Sequence, residues 1–313
     1  MGKVLIAVSG TGGHVYPGIA LAEELRSRRP DLQVLFTCAR GKPGVEWIRN
    51  AGFDVRTVRL RGFARQPGWS WLVFPFALIA GGFGALALVA GQRPDLVIGT
   101  GGYVSGPFVF FAALLGIPTL VLEQNSLPGV ATRIASRFAR EVHVAYPEAV
   151  ERLPGRRNVH LSGNPVRLSV EQGDAAAFRA EHGLDAERPV VLVLGGSQGA
   201  QALTEAALGA GRELGPDADV QIVIQAGRRG YADAQREAAT APDNIHVTEF
   251  VSDMGSAYAA ARLVVARSGA MTLAELAAAG RPAVLVPYPY AAEDHQTLNA
   301  RHMADRGAAR LVP

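Results

Sequence analysis

Sulfur chemistry is almost missing from this chain, which has Cys38 as its one cysteine. That excludes an intramolecular disulfide and a cysteine-rich zinc site, and it suits a reducing cytoplasm. Aromatic residues make up only 7% of the sequence. No stripe interleaves them with lysine or arginine, so the footprint of a nucleic-acid binder is absent. No basic, apolar and small-residue series opens the chain, and no signal peptide is expected. Charged side chains are sparse at 19%, against 49% hydrophobic ones, a balance that belongs to globular and not to disordered proteins. At 313 residues the chain is long for a single core, so two domains are expected.

Charge is unevenly spread. Residues 1–165 hold 18 basic and 10 acidic side chains, whereas 166–313 hold 13 and 18. The basic half is expected to meet an anionic surface or ligand. Short β-branched runs alternate with Ala/Leu-rich helical stretches such as 17–28 and 270–280. Strands are expected in the first half at 4–9, 32–38, 54–60, 95–100, 118–124 and 141–145. In the second they are expected at 189–196, 220–227, 245–250, 263–269 and 282–289. Continuous apolar strands with helical crossovers predict parallel sheets covered on both faces. Each half opens on a strand that runs into a glycine-rich turn, "SGTGG" and then "LGGSQGA". Each repeats the device later, in "GTGGYVSGP" (99–107) and "ARSGAMT" (266–272). The stretch "SGNPVRLSVEQGD" (162–174) has turn chemistry without periodicity and reads as the linker. The expected fold is α/β: two doubly wound, Rossmann-like domains, 1–165 and 166–313, facing across a cleft.

The turns carry the chemistry. A helix that starts right after a strand leaves its first N–H groups unpaired and its positive dipole end exposed. Glycine lets an anion approach that backbone, so Thr11, Gly12 and Gly13 suit a phosphate, though a tight structural turn would look alike. The spacing is not the dinucleotide fingerprint, since Val15 takes the place of its last glycine and no acidic residue ends the second strand. His14 follows at once, where a proton acceptor can meet a substrate hydroxyl, and a helix N-terminus favours its neutral form. Ser197 and Gln198 add side-chain donors to the second turn. Glu275 follows within two turns of the helix start at 268–270, placed to accept from both hydroxyls of a ribose, or simply solvated. Gln296 and Asn299 suit sugar hydroxyls, or serve as loop or cap residues; Glu123, Gln124 and Asn125 close a strand; Arg167 lies at the domain junction, where a cation balances a diphosphate or plays a structural part.

Seven stretches, "GTGGHVYPG", "GGYVSGP", "EQN", "GNPVR", "GGSQGA", "TEFVSDM" and "RSGAMTLAE", occur in the order seen in the MurG family. The chain resembles that family over nearly its whole length. The family comprises the bacterial UDP-N-acetylglucosamine:lipid I N-acetylglucosaminyltransferases of peptidoglycan synthesis. The resemblance implies a GT-B fold and an inverting transfer of GlcNAc to the C4 hydroxyl of the MurNAc in lipid I, giving lipid II, with no metal or other cofactor required. It implies donor contacts at Thr11, Gly12, Gly13, Asn125, Arg167, Ser197, Gln198, Val251, Ala270, Met271, Thr272, Leu273, Ala274, Glu275 and Gln296. His14 and Glu123 are the expected catalytic pair, with Tyr103 and Ser105 beside His14 on the acceptor side. It further implies partners in UDP-GlcNAc, lipid I, anionic inner-leaflet lipids and other cell-wall enzymes, and none in nucleic acid. The second domain is expected to be incomplete, because the family continues past "GAARLVP" (307–313). Rival readings are a glycosyltransferase with another lipid acceptor, a UDP-sugar 2-epimerase and a sugar-nucleotide-binding scaffold.

The segment "WLVFPFALIAGGFGALALVA" (71–90) holds no charge over twenty residues, long enough to span a bilayer. Pro75 and three glycines argue against a span. Trp69, Trp71, Phe74, Phe76 and Leu78, with Arg61 and Arg65 upstream, read as an interfacial surface or as a buried core helix. The expected location is the cytoplasmic face of the inner membrane, as a peripheral protein.

Overall fold

The computed structural model describes residues 2–60, 69–154, 158–196 and 199–313, with the side chains of 69–80 outside the description. The chain divides into two compact units, Met1–Arg167 and Leu168–Pro313. Each contains one all-parallel sheet with helical crossovers.

In the first unit the strands are β1 (Lys3–Val8), β2 (Gln33–Ala39), β3 (Asp54–Val58), β4 (Leu96–Gly99), β5 (Thr119–Glu123), β6 (Glu141–Val144) and β7 (Val159–Leu161). They lie in the order β3-β2-β1-β4-β5-β6-β7. The helices are α1 (Gly12–Arg28), α2 (Gly44–Asn50), α3 (Trp69–Gln92), α4 (Gly102–Leu114), α5 (Val130–Ala135) and α6 (Pro147–Arg152). Alternation along β1 sorts the core into two layers. Val4, Ile6 and Val8 pack with Val15 and Ile19 of α1 and Phe36 of β2. Leu5 and Ala7 pack with Ala85 and Val89 of α3 and Val104 and Phe108 of α4. A strand buried on both faces needs an unbroken apolar run, which is what residues 4–8 supply.

The second unit holds α7 (Ala175–Glu181), β8 (Val190–Leu194), α8 (Gln201–Leu214), β9 (Gln221–Gln225), α9 (Gly227–Ala238) and β10 (Ile245–Thr248). It continues through α10 (Met254–Ala260), β11 (Ala261–Ala266), α11 (Ala270–Ala278), β12 (Ala283–Leu285), α12 (His295–Ala304) and β13 (Ala309–Leu311). Its strand order is β10-β9-β8-β11-β12-β13. In both sheets the chain winds outward one way from its first strand and then returns to the other side. The resulting switch point, at β1/β4 and at β8/β11, opens a crevice at the carboxyl ends of the strands, where doubly wound sheets bind ligands.

Several expected boundaries move. Helix α1 begins at Gly12 and not at 17, because the Thr11 carbonyl already accepts the His14 and Val15 N–H groups. The run 282–289 yields only Ala283–Leu285 as strand, since Pro287 offers no N–H to a ladder. Strands β7 and β13 were not expected; each is three residues long and sits at a sheet edge, too short to show a period. Among the described residues no helix is long and apolar enough to cross a membrane.

Candidate functional site

At the carboxyl ends of β1, β4 and β5, hydroxyls stitch the two glycine turns of the first unit together. Ser9 Oγ donates to the Gly101 carbonyl (3.0 Å) and accepts from the Val104 N–H (3.3 Å). Glycine is required at 102, where φ is +72° and a Cβ would stand 2.1 Å from Ser9 Oγ. The same holds at Gly10, where φ is +86° and a Cβ would lie 2.5 Å from that of Lys42.

His14 is held inside this seam. Thr100 Oγ1 donates to its carbonyl at 2.7 Å. Its ring Nδ1 lies 3.0 Å from the Thr100 carbonyl and 3.2 Å from Gln124 Oε1. The Gln124 amide is oriented by its own Nε2, which donates to the Leu122 carbonyl at 3.3 Å. Both atoms facing Nδ1 are therefore acceptors. They place the ring proton on Nδ1 and leave the Nε2 lone pair on the opposite edge of the ring. Gln124 and Thr100 were not among the expected site residues, because they reach His14 from strands far along the chain.

Two expected residues of the first unit are engaged within the fold. Glu123 was expected to be catalytic, but its carboxylate is buried and occupied by its own loop. Oε1 accepts from the Asn125 N–H (3.1 Å) and Nδ2 (3.3 Å), and Oε2 from the Gly129 N–H (3.1 Å). It is a loop staple that orients Asn125. Ser105 was expected on the acceptor side. It is buried, and its hydroxyl faces the Ala7 (2.9 Å) and Gly101 (2.7 Å) carbonyls, so it serves the seam. Tyr103 remains half-exposed, its phenol pushed up first by burial and then by the Cys38 thiol.

Thr11 and Gly13 are exposed at the start of α1, where Thr11 makes no side-chain cap. Arg167 lies over the Tyr16 ring at 5.0 Å, and Tyr16 stacks on Trp47. Burial pushes the neighbouring Glu23 carboxyl up, opposed by Arg167 and Arg26.

In the second unit α11 opens on Gly269, which gives no side-chain cap. Ser268 Oγ, fully buried just before it, meets no hydrogen-bond partner among the described residues. A buried orphan hydroxyl beside unpaired helix N–H groups is the arrangement an anionic ligand completes. Ala270 and Met271 are buried, so they and Thr272 can address a ligand through backbone N–H groups. Leu273 differs from them: its side chain is buried and its N–H already donates to the Gly269 carbonyl at 3.0 Å. Ala274 is half-buried one residue further in. Glu275 is buried rather than solvated, and Tyr258 Oη donates to its Oε2 at 3.1 Å. The Val251 N–H donates to Gln225 Oε1 at 3.1 Å, while Gln225 Nε2 donates to the Gly196 carbonyl at 3.3 Å. A base beside Val251 would thus meet its carbonyl. Gln296 Oε1 accepts from the Tyr288 N–H at 2.9 Å. Ser197, Gln198, Arg61 and Arg65 lie outside the described residues, as do the side chains of Trp69, Trp71, Phe74, Phe76 and Leu78. No group of three metal-ligating side chains occurs among the described residues.

The glycosyltransferase family 28 N-terminal domain profile matches residues 4–144, and the C-terminal domain profile of the same family matches 190–313. The chain is 40% identical over 306 residues to a UDP-N-acetylglucosamine–N-acetylmuramyl-(pentapeptide) pyrophosphoryl-undecaprenol N-acetylglucosamine transferase of Salinibacter ruber, covering 98% of this chain and 82% of the relative. A protein of the same name from Chlorobium luteolum is 40% identical over 315 residues, covering 99% and 85%. Among solved structures, Acinetobacter baumannii MurG superposes with a TM-score of 0.75 at 32% identity, covering 100% of this chain and 86% of that one.

Proposed function

Because the chain belongs to glycosyltransferase family 28 and, within it, to the UDP-N-acetylglucosamine–N-acetylmuramyl-(pentapeptide) pyrophosphoryl-undecaprenol N-acetylglucosamine transferases, we propose that it moves GlcNAc from UDP-GlcNAc to the C4 hydroxyl of the MurNAc in lipid I. The observation that carries the chemistry is the ring of His14, whose Nδ1 faces two acceptors and whose Nε2 is left as a base. In the reaction Nε2 takes the proton of the C4 hydroxyl while that oxygen bonds to C1 of GlcNAc. The bond from C1 to the UDP oxygen breaks with its electron pair, and the anomeric configuration inverts. The departing diphosphate is stabilised by the first N–H groups of α11 and by Ser268. Dry, fixed donors of this kind are worth roughly 3–4 kcal/mol of barrier, against about 0.3–1 kcal/mol for an exposed helix end. Glu275, with its rotamer held by Tyr258, takes the ribose hydroxyls, and Gln296 the sugar.

Attachment to an anionic bilayer is supported by α4, α5 and the turn after α5. Phe110, Leu114, Leu115, Val130, Ile134 and Phe138 are all exposed there, Phe110 and Phe138 meet edge to face at 5.0 Å, and Arg137 and Arg140 flank them. An exposed apolar group of this size rimmed by arginines suits the headgroup boundary. It joins α3 as the proposed membrane surface.

The test is direct: radiolabelled UDP-GlcNAc and a lipid I analogue are mixed with the protein, and a disaccharide-linked lipid is expected. Its absence, with or without release of free sugar, overturns the reading. Glu275→Ala is expected to weaken UDP-GlcNAc binding about tenfold, the order of one charge-assisted hydrogen-bond pair; equal binding removes the ribose assignment.

A further inference from the structure

Residues just past the ends of the neighbouring strands β11 and β12 are tied together by one side chain. Arg267 follows β11, and its Nη1 donates to the Val286 carbonyl (3.1 Å) and the Pro287 carbonyl (2.8 Å), both just beyond β12. Its guanidinium sits 5.8 Å from the centre of the Tyr288 ring. The next link is the Tyr288 N–H, which donates to Gln296 Oε1. Between these points the backbone is strained: Glu293 and Asp294 take φ of +52° and +53° in succession. Two consecutive side-chain-bearing residues in the left-handed region persist only where their surroundings hold them. The far end is held by Thr297 Oγ1 on Asp294 Oδ1 (2.6 Å) and by Asn299 Nδ2 on the Ser268 carbonyl (3.4 Å). Arg267 Nε, shielded from solvent, meets no acceptor among the described residues. A guanidinium with an uncompensated buried N–H is a poor choice for stability alone.

The geometry points to Arg267 as a positioning residue that holds the 286–296 loop so that Gln296 presents its Nε2 to the donor sugar. The amide of Gln296 has two ends. With Oε1 engaged by Tyr288, only the NH₂ end is left to meet a sugar oxygen, and Arg267 Nη1, bonded to the Val286 and Pro287 carbonyls, decides where Tyr288 stands. A lysine keeps the charge but lacks the flat guanidinium that faces the Tyr288 ring. This inference rests on the proposed reading of Gln296 as the sugar-contacting residue.

Two measurements test it. In ligand-free protein, Arg267→Met and Arg267→Lys are expected to speed amide hydrogen exchange across 286–296 at least tenfold, with β8 and β9 unchanged as a control for folding. In binding, UDP affinity should stay within about twofold of wild type, while the preference for UDP-GlcNAc over its C4 epimer UDP-GalNAc falls about tenfold, matching Gln296→Ala. The double variant should fall no further than either single one, since both act through one amide. Unchanged exchange, or effects that multiply, would overturn the inference. Selectivity lost in Gln296→Ala but kept in Arg267→Met would overturn it alone. Selectivity kept in both would remove the sugar assignment of Gln296 and the inference with it.

Discussion

A general base must offer substrate a nitrogen without a proton, and at His14, the proposed base, two acceptors face Nδ1. The Thr100 carbonyl is backbone and cannot be removed, but Gln124 can. Gln124→Leu is expected to lower kcat about 5-fold, the order of one net hydrogen bond at about 1 kcal/mol, with KM for UDP-GlcNAc unchanged. His14→Ala should lose roughly 10²–10⁴ in kcat. Steady-state rates with the lipid I analogue read both, and a His14→Ala enzyme as fast as wild type would dismiss the base. The candidacy of His14 was legible in the sequence, as a histidine right behind a glycine turn at a strand end. Its orienting partners were not: they lie 86 and 110 positions away along the chain, and only the strand order β1-β4-β5 brings them together. Glu123 misled for a related reason. A carboxylate at a strand end looks catalytic until its acceptors are seen to be filled by Asn125 and Gly129.

On the scale of the element, the strand–turn–helix alternation was readable because each central strand is an unbroken apolar run. The edge strands β7 and β13 were not, since three residues with an exposed side carry no periodic signal. The proposed membrane surface was only half suggested by the sequence. Its uncharged stretch in α3 stood out, whereas α4 and α5 hid their exposed side because both helices are also apolar on the side facing the sheet, through Val109, Ala112 and Ala135. Helical spacing puts Phe110 with Leu114, and Val130 with Ile134, on shared faces. Burying such a side chain is worth about 1.5–3 kcal/mol. Leu114→Asp with Ile134→Asp is therefore expected to lower binding to phosphatidylglycerol-containing vesicles more than tenfold in a flotation assay, and to leave UDP affinity in detergent-free buffer unchanged. Undiminished flotation would take α4 and α5 out of the attachment surface.

At the level of the whole molecule, two units with separate cores allow the nucleotide to be assigned to one of them without a bound structure. Cys38 lies fully buried in the first unit, and burial pushes its thiol up to about 11. The shift disfavours the thiolate throughout the folded state, so at pH 8 a thiol reagent reaches Cys38 only when that unit opens. Amide exchange along β8 and β9 reports the opening of the second unit in the same way. A ligand at 100 times its Kd stabilises the part that binds it by about 2.7 kcal/mol, or about a hundredfold in the opening equilibrium. Val251 and the start of α11 both belong to the second unit. Saturating UDP is thus expected to slow exchange in β8 and β9 about a hundredfold, while Cys38 labelling changes by less than about threefold. Protection of Cys38 as strong as that of β8 would mean that the first unit grips the nucleotide equally, and the placement of UDP at α11 would have to be given up.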